Sequence, residues 1–225
     1  MRFSRLQQAA VVLVALFASS ALYGQSTRPS TAPAAPTSRP VPAKAYVLMT
    51  TSMGDILLEL DGKNAPITVA NFLSYADKEF YDGTIFHRVI GNFMIQGGGF
   101  TPDMEKKEIA PTIKNEWRNG LKNNRGTVAM ARLGGQPDSA SSQFFINVKD
   151  NGKLDRPQRD GAAYAVFGRV VAGMDTVDKI RGVDTGMKKG LKDVPIVTVV
   201  IEKVRQISDE DAGKRIKAAT SRPKK

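Results

Sequence analysis

The feature that most constrains the fold is a series of short apolar runs between residues 46 and 204, separated by clusters of Gly, Pro, Asn and Asp. Runs of about four to eight residues bounded by turn residues are typical of strands. The segment 46–60 predicts two strands around a turn at 53–55. Further strands are expected at 84–90, 93–96, 126–131, 143–148, 163–171 and 194–204.

Two helices are expected among these strands. The first opens at Asn64-Ala65-Pro66, because proline is tolerated in the first turn of a helix. Apolar residues at 69, 72, 73 and 76 then follow the spacing of a single helical face. The second helix runs from Met174 to Arg181, with Val177 and Ile180 on its apolar side. Many short strands with two helices favour either a closed sheet or a sandwich with helical plugs.

Composition and charge exclude several classes of function. The chain has 33 Lys and Arg against 22 Asp and Glu, a formal net charge of +11. Residues 1–24 carry +2, 25–44 carry +3 and 203–225 carry +5, which leaves +1 for 45–202. A basic core that binds nucleic acid is therefore not indicated. Without Cys, and with His87 as the single His, the chain has no means of forming disulfides, thiolate metal sites, cysteine nucleophiles or multi-histidine metal sites.

The two ends of the chain differ in character from its centre. Residues 1–24 combine a basic start with an apolar stretch from Ala9 to Leu22, shorter than the about 20 residues that span a bilayer. This pattern predicts a signal peptide and an exported protein, periplasmic or secreted, with an uncleaved membrane anchor as the alternative. Residues 25–44 are rich in Pro, Ser, Thr and Ala and predict an extended linker. Residues 45–204 form the predicted domain, and 205–225 a polar, basic tail with at most a frayed helical turn.

Three stretches of the domain carry unusual residues. Arg88 stands inside an apolar, strand-like run, where its burial is costly unless it is paired or lies at a cleft. Gln143 and Phe145 alternate onto one face of a second strand, which suits a peptide-binding groove, although Phe145 as a core residue remains an alternative. The third stretch, Gly126 to Arg132, is a strand of small residues. The GxGxxG, P-loop, HExxH and GxSxG patterns do not occur at a convincing position.

With these residues the chain resembles the cyclophilin-type peptidyl-prolyl cis/trans isomerases, most closely the small bacterial members. The resemblance rests on FHRVIGNFMIQGGGF, IKNEWRNGLKNNRGTVAMAR, SSQFFINVKDN and YAVFGRVVAGMDTVDKI, in this order, and covers about 46–204. It implies a mostly β fold: a closed eight-stranded antiparallel β-barrel capped by two α-helices. It also implies isomerisation of X-Pro bonds at a proline pocket on the outer surface of the barrel.

The resemblance assigns roles residue by residue. It implies that Arg88 is the catalytic arginine, that Gln96 holds its guanidinium and that Gln143 contacts the substrate backbone. It places Ala131 and Arg132 on the segment that pairs with the bound peptide. The remaining residues expected to line the site are His87, Phe93, Met94, Phe145, Leu154 and Tyr164.

Two positions depart from the eukaryotic members of the family. Lys153 stands where many of them carry a Trp beside the pocket, and Tyr164 stands where they carry a His. The resemblance therefore implies weak binding of the cyclic-peptide immunosuppressant that names the family.

The partners expected are proline-containing polypeptides, unfolded or in loops, acted on by a monomer. Neither nucleic acid, nor stable membrane insertion, nor a cofactor or metal is expected. A binding module that holds a proline-containing partner is a competing hypothesis, and a scaffold acting through the basic tail is a weaker one.

Overall fold

The computed structural model describes residues 40–221. The predicted signal peptide and residues 25–39 of the predicted linker lie outside the described residues. Ten strands lie in this part of the chain, and their bounds are β1 (Ala45–Thr51), β2 (Gly54–Leu60), β3 (Thr84–Ile90), β4 (Met94–Gly97), β5 (Thr127–Met130), β6 (Phe144–Asn147), β7 (Val166–Ala172), β8 (Thr185–Lys188), β9 (Leu191–Pro195) and β10 (Val200–Ile207).

Eight of these strands close into an antiparallel barrel in the order β1-β10-β3-β4-β6-β5-β7-β2. The closed eight-stranded barrel implied by the resemblance is therefore confirmed, and a sandwich is excluded. The chain neighbours Phe144 and Phe145 show how the wall of the barrel is built. Phe144 packs into the main core inside the barrel, whereas Phe145 belongs to a separate apolar cluster outside it. Alternation along each strand gives the wall two apolar faces, and the outer one is where a site can form.

Three helices accompany the barrel: α1 (Pro66–Asp77), α2 (Met174–Arg181) and α3 (Asp209–Thr220). The first two were predicted, and both add apolar side chains to the main core, among them Phe72 of α1 and Ile180 of α2. The start of α1 has no capping side chain of its own. Instead, the Glu116 carboxylate accepts hydrogen bonds from the backbone N–H groups of Ile67 (3.0 Å) and Thr68 (2.8 Å). This distant cap satisfies orphan donors of the first turn.

The predicted strand at 194–204 is wrong in its extent. β9 ends at Pro195 and β10 begins at Val200, and Ile196 and Val197 between them are exposed. β8 and β9 form a separate two-stranded sheet that the pattern of apolar residues did not indicate. The strands are short and their turn is rich in Lys, so the alternation that marks a buried strand is missing.

The polar tail predicted from residue 205 is also corrected. β10 continues to Ile207, and α3 follows with Ser208 as its N-cap, whose hydroxyl oxygen accepts from the Asp211 N–H at 3.1 Å. Ala212 of α3 is fully buried and packs with Tyr46 and Leu57 on the outside of the barrel. The Ser-Asp-Glu-Asp sequence is a start signal for a helix, and Ala212 and Ile216 pack the helix against the barrel.

The first described residues, which end the predicted linker, contact the barrel. Val41 packs against the main core, and the Ala43 carbonyl accepts a hydrogen bond from the Lys63 N–H at 3.1 Å. Among residues 40–221, each helix is too short or too polar to cross a membrane.

Candidate active site

A row of three polar and aromatic side chains crosses the outer face of the barrel. Arg88 on β3 lies opposite Gln96 on β4, and Gln96 lies opposite Phe145 on β6. Residues paired across antiparallel strands share a face of the sheet. Their neighbours Val89 and Ile95 point into the main core, so the row points outward. The strand register thus places a guanidinium, an amide and an aromatic ring side by side.

An apolar cluster, here called the outer cluster, adjoins this row. It combines four buried residues of the barrel wall with partly buried residues from the end of β3 and from the loops that cover it. Of the predicted pocket residues it contains Phe93, Met94, Phe145, Leu154, Tyr164 and Ala131. Residues 90, 121, 129 and 166 complete it, and none of these four was predicted. The structure therefore brings together six side chains that are scattered over 70 residues of sequence.

Buried asparagines hold the cluster in shape. The Asn151 side-chain amide donates to the Phe93 carbonyl and to Asn147 Oδ1, both at 2.7 Å. Asn147 donates in turn to Asn123 Oδ1 at 3.1 Å, and Asn123 donates to Asp155 Oδ1 at 2.9 Å. Asp155 ends the 3₁₀ turn Gly152–Asp155 that carries Leu154, so this network fixes two pocket residues from behind. Sequence reasoning missed these residues, although Asn147 and Asn151 lie within the SSQFFINVKDN motif.

Gln96 contacts a different partner from the one expected. Its side-chain amide donates to Gln143 Oε1 at 3.0 Å, and no hydrogen bond joins it to Arg88 among the residues described. The resemblance had assigned Gln96 to the guanidinium. Gly99 makes room for this glutamine pair, because a Cβ there would lie 2.5 Å from Gln143 Cγ. Gly99 thus permits a close approach of the Gln143 side chain.

Arg88 pairs with an acidic residue that sequence reasoning missed. Its Nε lies 3.6 Å from Asp193 Oδ2, and the two side chains are 41% and 40% exposed. Asp193 lies on β9 with a φ of 62°, a left-handed conformation that Asp tolerates better than most residues. Such an exposed pair leaves the guanidinium accessible, because its net free energy is at most about 1 kcal/mol.

His87 lies behind the surface of the site rather than on it, which corrects its expected place among the lining residues. Its side chain is 5% exposed and its ring packs against Phe100 with centroids 4.6 Å apart. Burial lowers the pKa of His87 from 6.5 to about 4, and the charge of Arg88 adds to this effect. Hydrogen bonds with the Ile85 backbone and the Gln143 side chain raise the pKa of His87 and offset part of this lowering. His87 is therefore neutral at physiological pH, and nothing in its surroundings prepares it for proton transfer.

The side chain of Arg132 has a structural role. Its guanidinium donates to both carboxylate oxygens of Asp160, at 2.5 and 3.1 Å, and stacks 4.7 Å from the Tyr164 ring centroid. The same contacts lower the pKa of Asp160 to about 2. Within residues 40–221 the backbone N–H and C=O of Arg132 make no hydrogen bond, whereas the Ala131 N–H bonds Gln143. A short edge of free backbone therefore borders the outer cluster.

A cavity of about 600 Å³ lies apart from Arg88, between the residues before β1, strand β2 and the loop 120–124. It shares Leu121 and Val166 with the outer cluster but contains none of the predicted site residues. In the described part of the chain, no three His, Asp or Glu residues are grouped as they would be to hold a metal ion.

Comparison with known proteins identifies the family to which this barrel belongs. The sequence profile described as cyclophilin type peptidyl-prolyl cis-trans isomerase/CLD matches residues 46–206. The chain belongs to this family. It is 56% identical over 161 residues to the peptidyl-prolyl cis-trans isomerase cyp18 of Streptomyces antibioticus, covering 71% of this chain and 96% of that protein. It is 54% identical over 156 residues to peptidyl-prolyl cis-trans isomerase B of Escherichia coli, covering 68% and 94%. The recognition from sequence is confirmed, and this cyclophilin is a peptidyl-prolyl cis-trans isomerase.

Solved structures show the same relationship. A cyclophilin-type peptidyl-prolyl cis-trans isomerase of Cryptosporidium parvum matches with a TM-score of 0.64 and 28% identity, over 74% of this chain and 99% of that one. The same parasite protein, solved in the presence of the dipeptide Ala-Pro, matches with a TM-score of 0.63.

Proposed function

We propose that this cyclophilin accelerates rotation about X-Pro bonds of exported polypeptides, with Arg88 as the catalytic residue and the outer cluster as the proline pocket. One observation carries the proposal. Strand register puts Arg88 on the same face as Gln96 and Phe145, and Phe145 belongs to the apolar outer cluster. The dipeptide Ala-Pro present with the Cryptosporidium parvum relative supports the same class of ligand.

The chemistry needs neither a nucleophile nor a metal, because no covalent bond forms or breaks. The barrier of ~18–20 kcal/mol comes from amide resonance. As the bond twists, the nitrogen lone pair localises and the nitrogen becomes pyramidal. A guanidinium directed at that nitrogen, or at the adjacent carbonyl, stabilises the twisted form more than either planar form. A reduction of ~6 kcal/mol would give roughly 10⁴-fold acceleration.

The other side chains hold one side of the bond while the other rotates. Phe93, Met94 and Leu154 contact the pyrrolidine ring of the substrate proline and exclude water from it. The free backbone groups of Arg132 pair with the peptide as an added strand would. Gln143 is held by Gln96 and presents its amide beside this edge. In this arrangement the Arg132 guanidinium, tied to Asp160, keeps Tyr164 in place instead of touching substrate.

The test is the loss of catalysis in Arg88→Ala. The full chain would be compared as wild type, Arg88→Ala and Arg169→Ala by NMR exchange of a short Ala-Pro peptide. Arg169 is the matched control, because it is an exposed, carboxylate-paired arginine on β7. We expect a loss of at least about a hundredfold in Arg88→Ala, the range of one removed electrostatic group, and no change in the control. A wild-type rate in a folded Arg88→Ala protein would refute the assigned role.

The exported location rests on residues 1–24, whose basic start and short apolar stretch fit a signal peptide. Fractionation of cells that express the full chain, with mass spectrometry of its N-terminus, tests this part. A cytoplasmic protein with an intact N-terminus would remove exported proteins from the proposal and leave the isomerase chemistry unaffected. Light scattering of the mature protein tests whether it is a monomer.

A further inference from the structure

The hairpin formed by residues 185–197 concentrates exposed apolar side chains. Within residues 40–221, seven large apolar residues are exposed, and four of them are in this hairpin. Met187 is 69% exposed, Ile196 70% and Val197 78%, and Leu191 is exposed as well. Single exposed apolar residues are ordinary on protein surfaces, but such a concentration in thirteen residues indicates a contact surface.

The inward side of the hairpin is anchored to the rest of the domain, so the exposed apolar side chains on its other side face solvent. Val194 is buried with Ile85 and Met104 in a small cluster of its own. The Lys188 Nζ donates to the Pro102 carbonyl at 3.1 Å, which ties the other strand of the hairpin to the same loop. The inward face of the hairpin is thus occupied, and within residues 40–221 its outward apolar side chains stay exposed.

The hairpin is continuous with the active site. Asp193, which pairs with Arg88, lies on β9 between Leu191 and Ile196. Leu191 comes two residues before Asp193 in the chain, and Ile196 comes three residues after it. A polypeptide whose proline contacts Arg88 would therefore meet the hairpin within the next few residues.

The charge of the hairpin favours one kind of flanking sequence. Lys188, Lys189 and Lys192 surround its turn, and no salt bridge neutralises them within the described part of the chain. Asp193 is the one acid of residues 185–197 and is paired with Arg88, and Asp184 immediately precedes the segment. An exposed apolar surface with a positive rim is complementary to extended segments that carry apolar and acidic residues.

We infer that residues 185–197 form a second binding surface for the same substrate chain, which takes the segment flanking the proline and favours unfolded segments with apolar and acidic residues. This inference rests on the proposed function, because it places the proline at Arg88. If it holds, long, unfolded substrates have a higher kcat/KM than short peptides with the same X-Pro bond.

The experiment compares two double variants on two peptides. Met187→Ser/Ile196→Ser changes the hairpin, and Ile67→Ser/Ile109→Ser changes two exposed isoleucine positions elsewhere. The probes are a short Ala-Pro peptide and a 25-residue unfolded peptide with one Ala-Pro flanked by Leu and Asp. The kcat/KM of isomerisation is measured by NMR exchange for both, and the Kd of the long peptide by fluorescence anisotropy. Circular dichroism verifies that each variant is folded.

We expect the hairpin variant to lose about tenfold in kcat/KM and in affinity for the long peptide, with an unchanged rate on the short one. The control variant should match wild type on both. Equal losses on the two peptides would overturn the inference, because the hairpin would then act through the fold or through Arg88. An unchanged affinity for the long peptide would overturn it as well. Failure of wild type on the short peptide would instead refute the proposed function, and the anisotropy measurement would still decide whether the hairpin binds polypeptide.

Discussion

Acidification from pH 7 to pH 4 should destabilise the barrel through one side chain, His87. Burial lowers the pKa of this imidazole from 6.5 to about 4. In the unfolded chain the same group titrates near its ordinary value. Between these two pH values the unfolded state binds a proton that the folded state does not, so the free energy of unfolding falls as pH falls. The contribution is complete above pH 6.5 and lost by about pH 4.

The size of the effect follows from the difference between the two pKa values. At 1.36 kcal/mol per pH unit, the whole window corresponds to about 3 kcal/mol, and about 2 kcal/mol is already lost at pH 5. The carboxylates with lowered pKa act at lower pH. Asp82 and Asp160 stabilise the fold above their ordinary pKa of 3.8 and lose that contribution as pH falls further. The loss between pH 6.5 and 4 is therefore assigned to His87.

Urea unfolding at half-unit steps from pH 4 to 8 measures this loss. The chain has one histidine, so the NMR titration of a single imidazole reports the pKa directly. In His87→Gln the pH dependence between 4 and 6.5 should disappear, whatever the absolute stability of the variant. A wild-type slope that persists in His87→Gln, or an imidazole that titrates near 6.5, would refute the argument. The rate of isomerisation should be flat from pH 5.5 to 8, because Arg88 stays charged and His87 stays neutral.

Two further predictions concern the pocket and the first helix. Phe145→Ala should weaken peptide binding and lower the free energy of unfolding by about 3 kcal/mol, because it leaves a cavity in the outer cluster; calorimetric binding and urea unfolding check both, and unchanged peptide affinity would place Phe145 outside the pocket. Glu116→Gln should cost about 1 kcal/mol of stability at unchanged activity, because the carboxylate that caps α1 loses its charge. An unchanged urea midpoint in that variant would show that the neutral amide oxygen caps the first turn as well as the carboxylate does.

Sequence patterns predicted the barrel strands well where the wall has a buried face. The run at 84–90 matches β3, and Met174–Arg181 matches α2, because buried apolar side chains at a fixed period mark both. The hairpin of β8 and β9 escaped prediction for the opposite reason. It is exposed on one side and buries little more than Val194, so its residues follow no apolar period.

The candidate site shows the same limit. Arg88, Phe93, Met94 and Phe145 come from motifs whose residues are close in sequence, and the structure places them together. The salt bridge between Arg88 and Asp193 joins residues 105 positions apart, and no local sequence pattern predicts it. The asparagine network behind Leu154 was not predictable either, because the sequence does not distinguish a buried asparagine from an exposed one. What sequence reasoning lacked was the partner of each polar group, not its position along the chain.

The two-faced wall explains how this barrel combines stability with an open site. Phe144 is fully buried inside, where it packs against Phe72 and Tyr81 with ring centroids 5.6 and 5.7 Å away. Phe145 points outward against Tyr164, whose ring lies 5.8 Å away. Because adjacent residues of one strand serve opposite faces, the core inside is complete without the pocket side chains. We therefore expect substitution of Tyr164, which packs in the outer cluster, to affect the main core less than substitution of Phe144 would.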